Sequence, residues 1–139
     1  MAGDLRDRCD RIEECYEFML AYAAQGLRDD RESPSGGQLR AFLGRCDEAL
    51  TGLAESYRRE VEAQGREPAE RYGAFLAVLD RDAQDAQAAV RLVLAQPAIS
   101  SQVIDNLNAS IHLRALLTDL FLIDEILRPD EGATPPLNA

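Results

Sequence analysis

Apolar positions recur along this chain in steps that mostly alternate four and three. That spacing marks one face of a helix, not a strand. Leu5, Cys9, Ile12, Tyr16, Met19, Ala23 and Leu27 form a first stripe, predicting a helix from about Asp4, as its N-cap, to Leu27. The polar stretch from Asp29 to Gly37, with Pro34, Gly36 and Gly37, predicts a loop. A second stripe, Leu39, Leu43, Cys46, Leu50, Leu53, Tyr57 and Val61, predicts a helix that starts near Ser35 and stops at Gly65. Gln38 lies three residues after Ser35, the spacing of a capping box. Tyr72, Leu76, Leu79, Ala83, Ala86, Val90 and Val93 predict a third helix, opening at Pro68 and ended by Pro97. Its alanine-rich middle lets a neighbour approach closely.

A fourth helix is predicted after the cap Ser100, with Ile99 and Ile104 at hydrophobic-staple spacing, and it ends at Arg128 before Pro129. The last two connections are short, which favours antiparallel neighbours. The expected fold is therefore an all-α, antiparallel, up-down-up-down four-helix bundle over residues 1–129. A disordered tail is expected over residues 130–139, which contain Pro135 and Pro136.

The fourth helix is apolar on two sides. One side carries Ile104, Leu107, Ile111, Ala115, Leu122 and Ile126, interrupted by Thr118, and alone suffices to fill the bundle core. The second carries Leu113, Leu116, Leu117, Leu120 and Leu127. A helix apolar on both sides has to be covered on both. The reading adopted is a homodimer in which the second side meets its own copy across a twofold axis. A splayed bundle that buries both sides, or a groove for a different protein, answers the same requirement.

Composition narrows the partners. The formal net charge is −10 and the sequence pI about 4.5, so free nucleic acid and anionic membrane surfaces are not expected partners, whereas a basic protein is. Every basic side chain except His112 is arginine, as a GC-rich bacterial coding sequence gives. Three cysteines, an odd number, and no apolar signal core near Met1 point to a reducing cytoplasm. No apolar run approaches the roughly 18 residues that a bilayer span needs.

Candidate chemistry is sparse. On the wheel of the fourth helix, Ser101, Asp105, Asn108, His112 and Asp119 share a polar strip between the two apolar sides. Asp105, Asn108, His112 and Asp119 there form a possible ligand pocket, with His112 titrating near neutrality. The plainer reading is a partly buried histidine bonded to Asn108. The surroundings of His112, Ile111 before it and Leu113-Arg114-Ala115 after it, lack the small residue and basic-Gly pair of phosphotransfer histidine domains. A di-iron bundle needs paired Glu-x-x-His elements, which one histidine cannot supply. Cys9 and Cys46 lie in core stripes, while Cys15 at a stripe edge is the candidate reactive thiol.

Glu13, Glu14 and Glu17 form a Glu-Glu-x-x-Glu cluster. It resembles the first half of the magnesium site in all-α nucleotide pyrophosphohydrolases of the MazG kind. That resemblance implies a magnesium-dependent nucleotide hydrolase. The second half, Glu-x-x-Asp, is missing; Asp29 to Glu32 runs in the reverse order. The cluster also reads as a solvated acidic face. No nucleophile-base-acid set, Gly-rich phosphate loop or nucleotide motif is present, so neither a catalytic residue nor a cofactor nor a metal is expected. The function expected is that of a homodimeric protein-interaction module: an adaptor, assembly factor or regulator. The alternatives are a small-molecule or metal sensor at the His112 strip and the magnesium-dependent hydrolase.

Overall fold

The computed structural model describes residues 3–128 and is all-α over that span. Its helices are α1 (Gly3–Ala23), α2 (Pro34–Leu50), α3 (Leu53–Gln64), α4 (Ala69–Leu94), α5 (Ser101–Ala109) and α6 (Ile111–Leu127), with a 3-10 turn at Asp30–Glu32. The expected count of four helices is thereby corrected: the second and fourth are each broken once. The expected tail at 130–139 lies outside the described residues. No described helix is long and apolar enough to cross a membrane.

The break between α2 and α3 falls at Thr51-Gly52, where Gly52 takes a left-handed φ of 78°. Only glycine adopts that conformation without strain. Arg8 of α1 stabilises the break: its guanidinium donates to the carbonyls of Ala49 at 3.1 Å, Glu48 at 3.4 Å and Thr51, at the end of α2. The second stripe survives the break intact, and Leu39, Leu43, Cys46, Leu50, Leu53, Tyr57 and Val61 are all buried.

The break between α5 and α6 has a larger consequence. Ser110 leaves the helical region, with φ −65° and ψ 143°, and its Oγ accepts the amide of Leu113 at 3.3 Å. It is thus the N-cap of a new helix. In an unbroken helix Ile104 and Leu113, nine residues apart, would point in opposite directions. Here both are buried. After the break the buried stripe restarts as Leu113, Leu116, Leu120, Ile123 and Leu127, joined by Leu117.

The expectation that Leu113, Leu116, Leu117, Leu120 and Leu127 form a surplus face for a second copy is therefore corrected. All five are enclosed in this chain's own core. The opposite side of α6, expected inside, is the exposed one.

Contacts at the helix ends show that α1 and α2 run in opposite directions and tie the other helices to one another. Gln25 beyond α1 accepts from Ser35 at the start of α2, while Arg8 reaches the end of α2. Arg91 of α4 meets Asp47 of α2 at 2.8 Å, and Gln64 at the end of α3 donates to the carbonyl of Leu127 at 3.1 Å.

A polar hub ties the connections to the helices. Asp30, buried, accepts from Arg40 Nε at 2.6 Å and from the amide of Ile99 at 2.8 Å. Arg40 also donates to the carbonyls of Leu94 at 3.2 Å and Gln96 at 2.9 Å. Beside it, the Tyr22 hydroxyl donates to the Ile99 carbonyl at 2.7 Å, and the Ser101 hydroxyl donates to the Tyr22 carbonyl at 2.7 Å. Gly36 packs directly on the Asp30 backbone, where any Cβ would collide.

Asp30→Ala strands the Arg40 guanidinium and the Ile99 amide and is expected to cost about 3 kcal/mol. Ser110→Ala, which loses only a cap, is expected to cost about 1 kcal/mol. Urea unfolding of the two variants measures both values.

Candidate functional site

With its leucines turned inward, α6 presents Ile111, Phe121, Leu122 and Ile126 to solvent, at 74%, 59%, 51% and 43% exposure. Ile111, Leu122 and Ile126 share one strip of the helix, at multiples of its turn, with the half-buried Ala115 between them. Leu122 and Ile126 continue onto α4. With Arg71, Tyr72, Phe75 and Ile123 they line an apolar cleft of about 240 Å³. Phe121, one residue round the helix from Leu122, faces a second cleft.

That second cleft lies between α1 and α6 and measures about 450 Å³. Arg6, Cys9, Asp10 and Glu13 line it from α1, and Phe121, Asp124, Glu125, Leu127 and Arg128 from the other side. A hydrogen-bond chain runs from it into the core. The Tyr57 hydroxyl donates to Asp124 Oδ1 at 2.6 Å and lies 3.1 Å from the Cys9 sulfur. Burial raises the pKa of Asp124, against the Tyr57 bond, which lowers it. Burial also raises Glu13, helped by the negative charges of Asp124, Asp10 and Glu17. The Cys9 thiol is pushed up to about 12, chiefly by burial, so it is not a nucleophile near neutrality.

The structure separates the residues of the expected polar strip, because the break at Ser110 divides them. Asp105 lines a cleft with Ala23, Gly26 and Leu27 at the end of α1. Asn108 is buried, and neither its Oδ1 nor its Nδ2 has a hydrogen-bond partner. His112 is exposed on the first turn of α6. Asp119 lines a groove with Ile111, Arg114, Ala115 and Thr118, and pairs across the α4–α6 seam with Asp82. Its Oδ2 is buried with no donor when both carboxylates are charged. A proton shared between the two satisfies it. Burial first, and the bond and charge of Asp82 after it, push the Asp119 pKa up to about 7.

Two other candidates change meaning. Cys15 is buried against Cys46, and the neighbouring thiol together with burial holds it protonated, well above the ordinary thiol range. The expectation of a reactive Cys15 is corrected accordingly, because the Cys46 thiol and desolvation outweigh the charge of nearby Arg45 and the thiol resists ionisation. Of the acidic cluster on α1, Glu13 lines the α1–α6 cleft, whereas Glu14 and Glu17 are exposed. Among the described residues no three His, Cys, Asp or Glu side chains converge as a metal ion requires.

Phe121, Asp10, Asp124 and Glu125 escaped the reading of the sequence. For Phe121, Asp124 and Glu125 the signal is the three-four spacing that restarts at Leu113, three residues after a serine able to cap, whereas nothing local marks Asp10 on α1.

Compared with known proteins, the chain matches no family model, no curated protein and no solved structure.

Two outcomes follow. Leu120→Glu, a charge placed in the core, is expected to cost more than about 4 kcal/mol, whereas Leu122→Glu stays within about 0.5 kcal/mol of the parent. Thermal melts distinguish them. The unfolded chain ionises Asp119 near 3.8 and the folded chain near 7, so folding takes up a proton between those values. The contribution of Asp119 is therefore full below about pH 4, falls as pH rises to about 7 and then levels. Asp119→Asn is expected to flatten that fall and to gain about 1–2 kcal/mol at pH 8, a figure discounted for its partial exposure. Urea titrations at pH 5 and 8 measure the difference.

Proposed function

We propose that this protein is an interaction module without enzymatic chemistry of its own, which docks another polypeptide across the outer side of α6. The observation that carries the reading is the two-sided character of that helix. Its inward leucines already fill the core, yet Phe121, Leu122 and Ile126 remain outside, the last two continuous with Tyr72 and Phe75. An exposed apolar surface assembled from two helices and rimmed by charge is the ordinary mark of an association site. A helix needing only one buried side carries polar residues on the other.

The chemistry of the clefts agrees with binding better than with catalysis. The three thiols are free and buried, and Cys9 stays protonated. Tyr57 lies in the core with its hydroxyl committed to Asp124. Three free thiols also support a reducing compartment, the cytoplasm, as the place of work.

The test is a photo-activated cross-linker placed in turn at Phe121, Leu122 and Ile126, and at Glu62 on the exposed side of α3 as a control. In the native cell, the three α6 positions are expected to give the same discrete protein adduct and Glu62 none. Adducts from neither region, or from Glu62 alone, would defeat the proposal.

A further inference from the structure

We infer that the segment docking on α6 is an amphipathic helix from another protein, its apolar stripe on Leu122 and Ile126 and its arginine- or lysine-bearing flank over the α1–α6 cleft. This rests on the docking reading above and names the partner's chemistry.

The shape selects a helix. Ile111, Ala115, Leu122 and Ile126 span 15 residue steps along α6, about 22 Å at 1.5 Å per step. That is the length of about four helical turns. Anchors from successive turns of an incoming helix meet such a strip, as in helix-in-groove recognition. The alternative backbone mode, adding a strand, needs a sheet edge, and the described residues contain no strand.

Charge selects the flank. Four carboxylates, Asp10, Glu13, Asp124 and Glu125, line the cleft on one side of the strip, against two guanidinium groups, Arg6 and Arg128. Arg128 and Glu125 already meet each other at 3.7 Å, which leaves Asp10, Glu13 and Asp124 against Arg6. Burial and the nearby charges of Asp124 and Asp10 disfavour the ionisation of Glu13, a penalty that an added cation relieves. The cleft, at about 450 Å³, admits a long basic side chain with its aliphatic stem. Phe121 at the cleft offers a ring face for a guanidinium. A second copy of this chain fits less well, since it would bring a further formal charge of −10 to the same surface.

The experiment is a selection from a displayed library of 18-residue amphipathic helices. Their apolar stripe is fixed, and their flanking positions vary among basic, acidic and neutral residues. Binders to the parent protein are expected to carry arginine or lysine on one flank. Asp10→Asn with Glu13→Gln and Glu125→Gln is expected to weaken those binders about 5- to 10-fold, what a few partly exposed ion pairs supply. Neutralising three remote acids, Glu48→Gln, Glu62→Gln and Asp85→Asn, lowers the net charge equally and is expected to leave binding within about 2-fold.

Leu122→Glu with Ile126→Glu is expected to abolish binding, with the melting curve unchanged. Equal losses from the two acid triples, or binders with neutral flanks, would overturn the basic-helix inference while leaving the docking surface standing. So would a stable dimer that the Leu122→Glu, Ile126→Glu protein cannot form, since the occupant would then be a second copy. Absence of any binder that depends on Leu122 and Ile126, from a protein that is also monomeric, would overturn both.

Discussion

The break that packing imposes at Ser110 in the last helical segment sets which residues are inside this protein. A cap hydrogen bond is worth about 1 kcal/mol, small beside what it redirects. Burying a leucine or isoleucine contributes about 1.5–3 kcal/mol. The restart at Ser110 turns six such side chains of α6 inward together, from Leu113 to Leu127. The bend also lets Ile104 and Leu107 of α5 keep their place against the core. Without the interruption, α5 and α6 would have to bury different sides of one straight rod. Packing therefore favours the break strongly, and Ser110 lowers its cost by satisfying an amide that a broken helix leaves open.

The connections are held by polar groups whose environments set their charge. Asp30 sits in a buried hub, where its bond to Arg40 keeps its pKa below the usual carboxylate value despite desolvation. Asp119 has the opposite fate. Burial, with another carboxylate instead of a cation across the seam, makes it keep a proton to far higher pH. The same residue type thus contributes stability in two different pH ranges, according to whether a guanidinium or a carboxyl stands opposite. Arg8 does for the end of α2 what Arg40 does for the end of α4. In each case a guanidinium meets carbonyls that have no partner within the helix.

The outer side of α6 inherits what the core does not use. Leu122 and Ile126 extend onto Tyr72 and Phe75 of α4, and Phe121 borders a cleft rich in carboxylates. In the docking proposed for this surface, burial on the apolar strip would supply the attraction and the acidic margin the orientation. The chain's excess of acid over base makes that margin a local concentration of a global property. The Cys9–Tyr57–Asp124 chain anchors one wall of the cleft to the core, so it is preorganised.

The sequence alone determined the helical class, since mostly three- and four-residue steps between apolar positions admit no strand. It also determined nearly all of the buried stripes from Leu39 to Val93, because a helix face is a local consequence of spacing. The cap at Ser100 and the staple residue Ile99 were legible for the same reason. The two breaks were not. Thr51-Gly52 and Ser110 each sit inside an apparently continuous pattern, and whether such a residue bends a helix depends on what the bend lets the chain bury. The orientation of α6, the pairing of Asp119 with Asp82 and the cleft between Glu13 and Asp124 all follow from residues far apart in the chain. Local periodicity describes a helix's two sides equally well. Only packing against α1 and α4 chose which of them the solvent would meet.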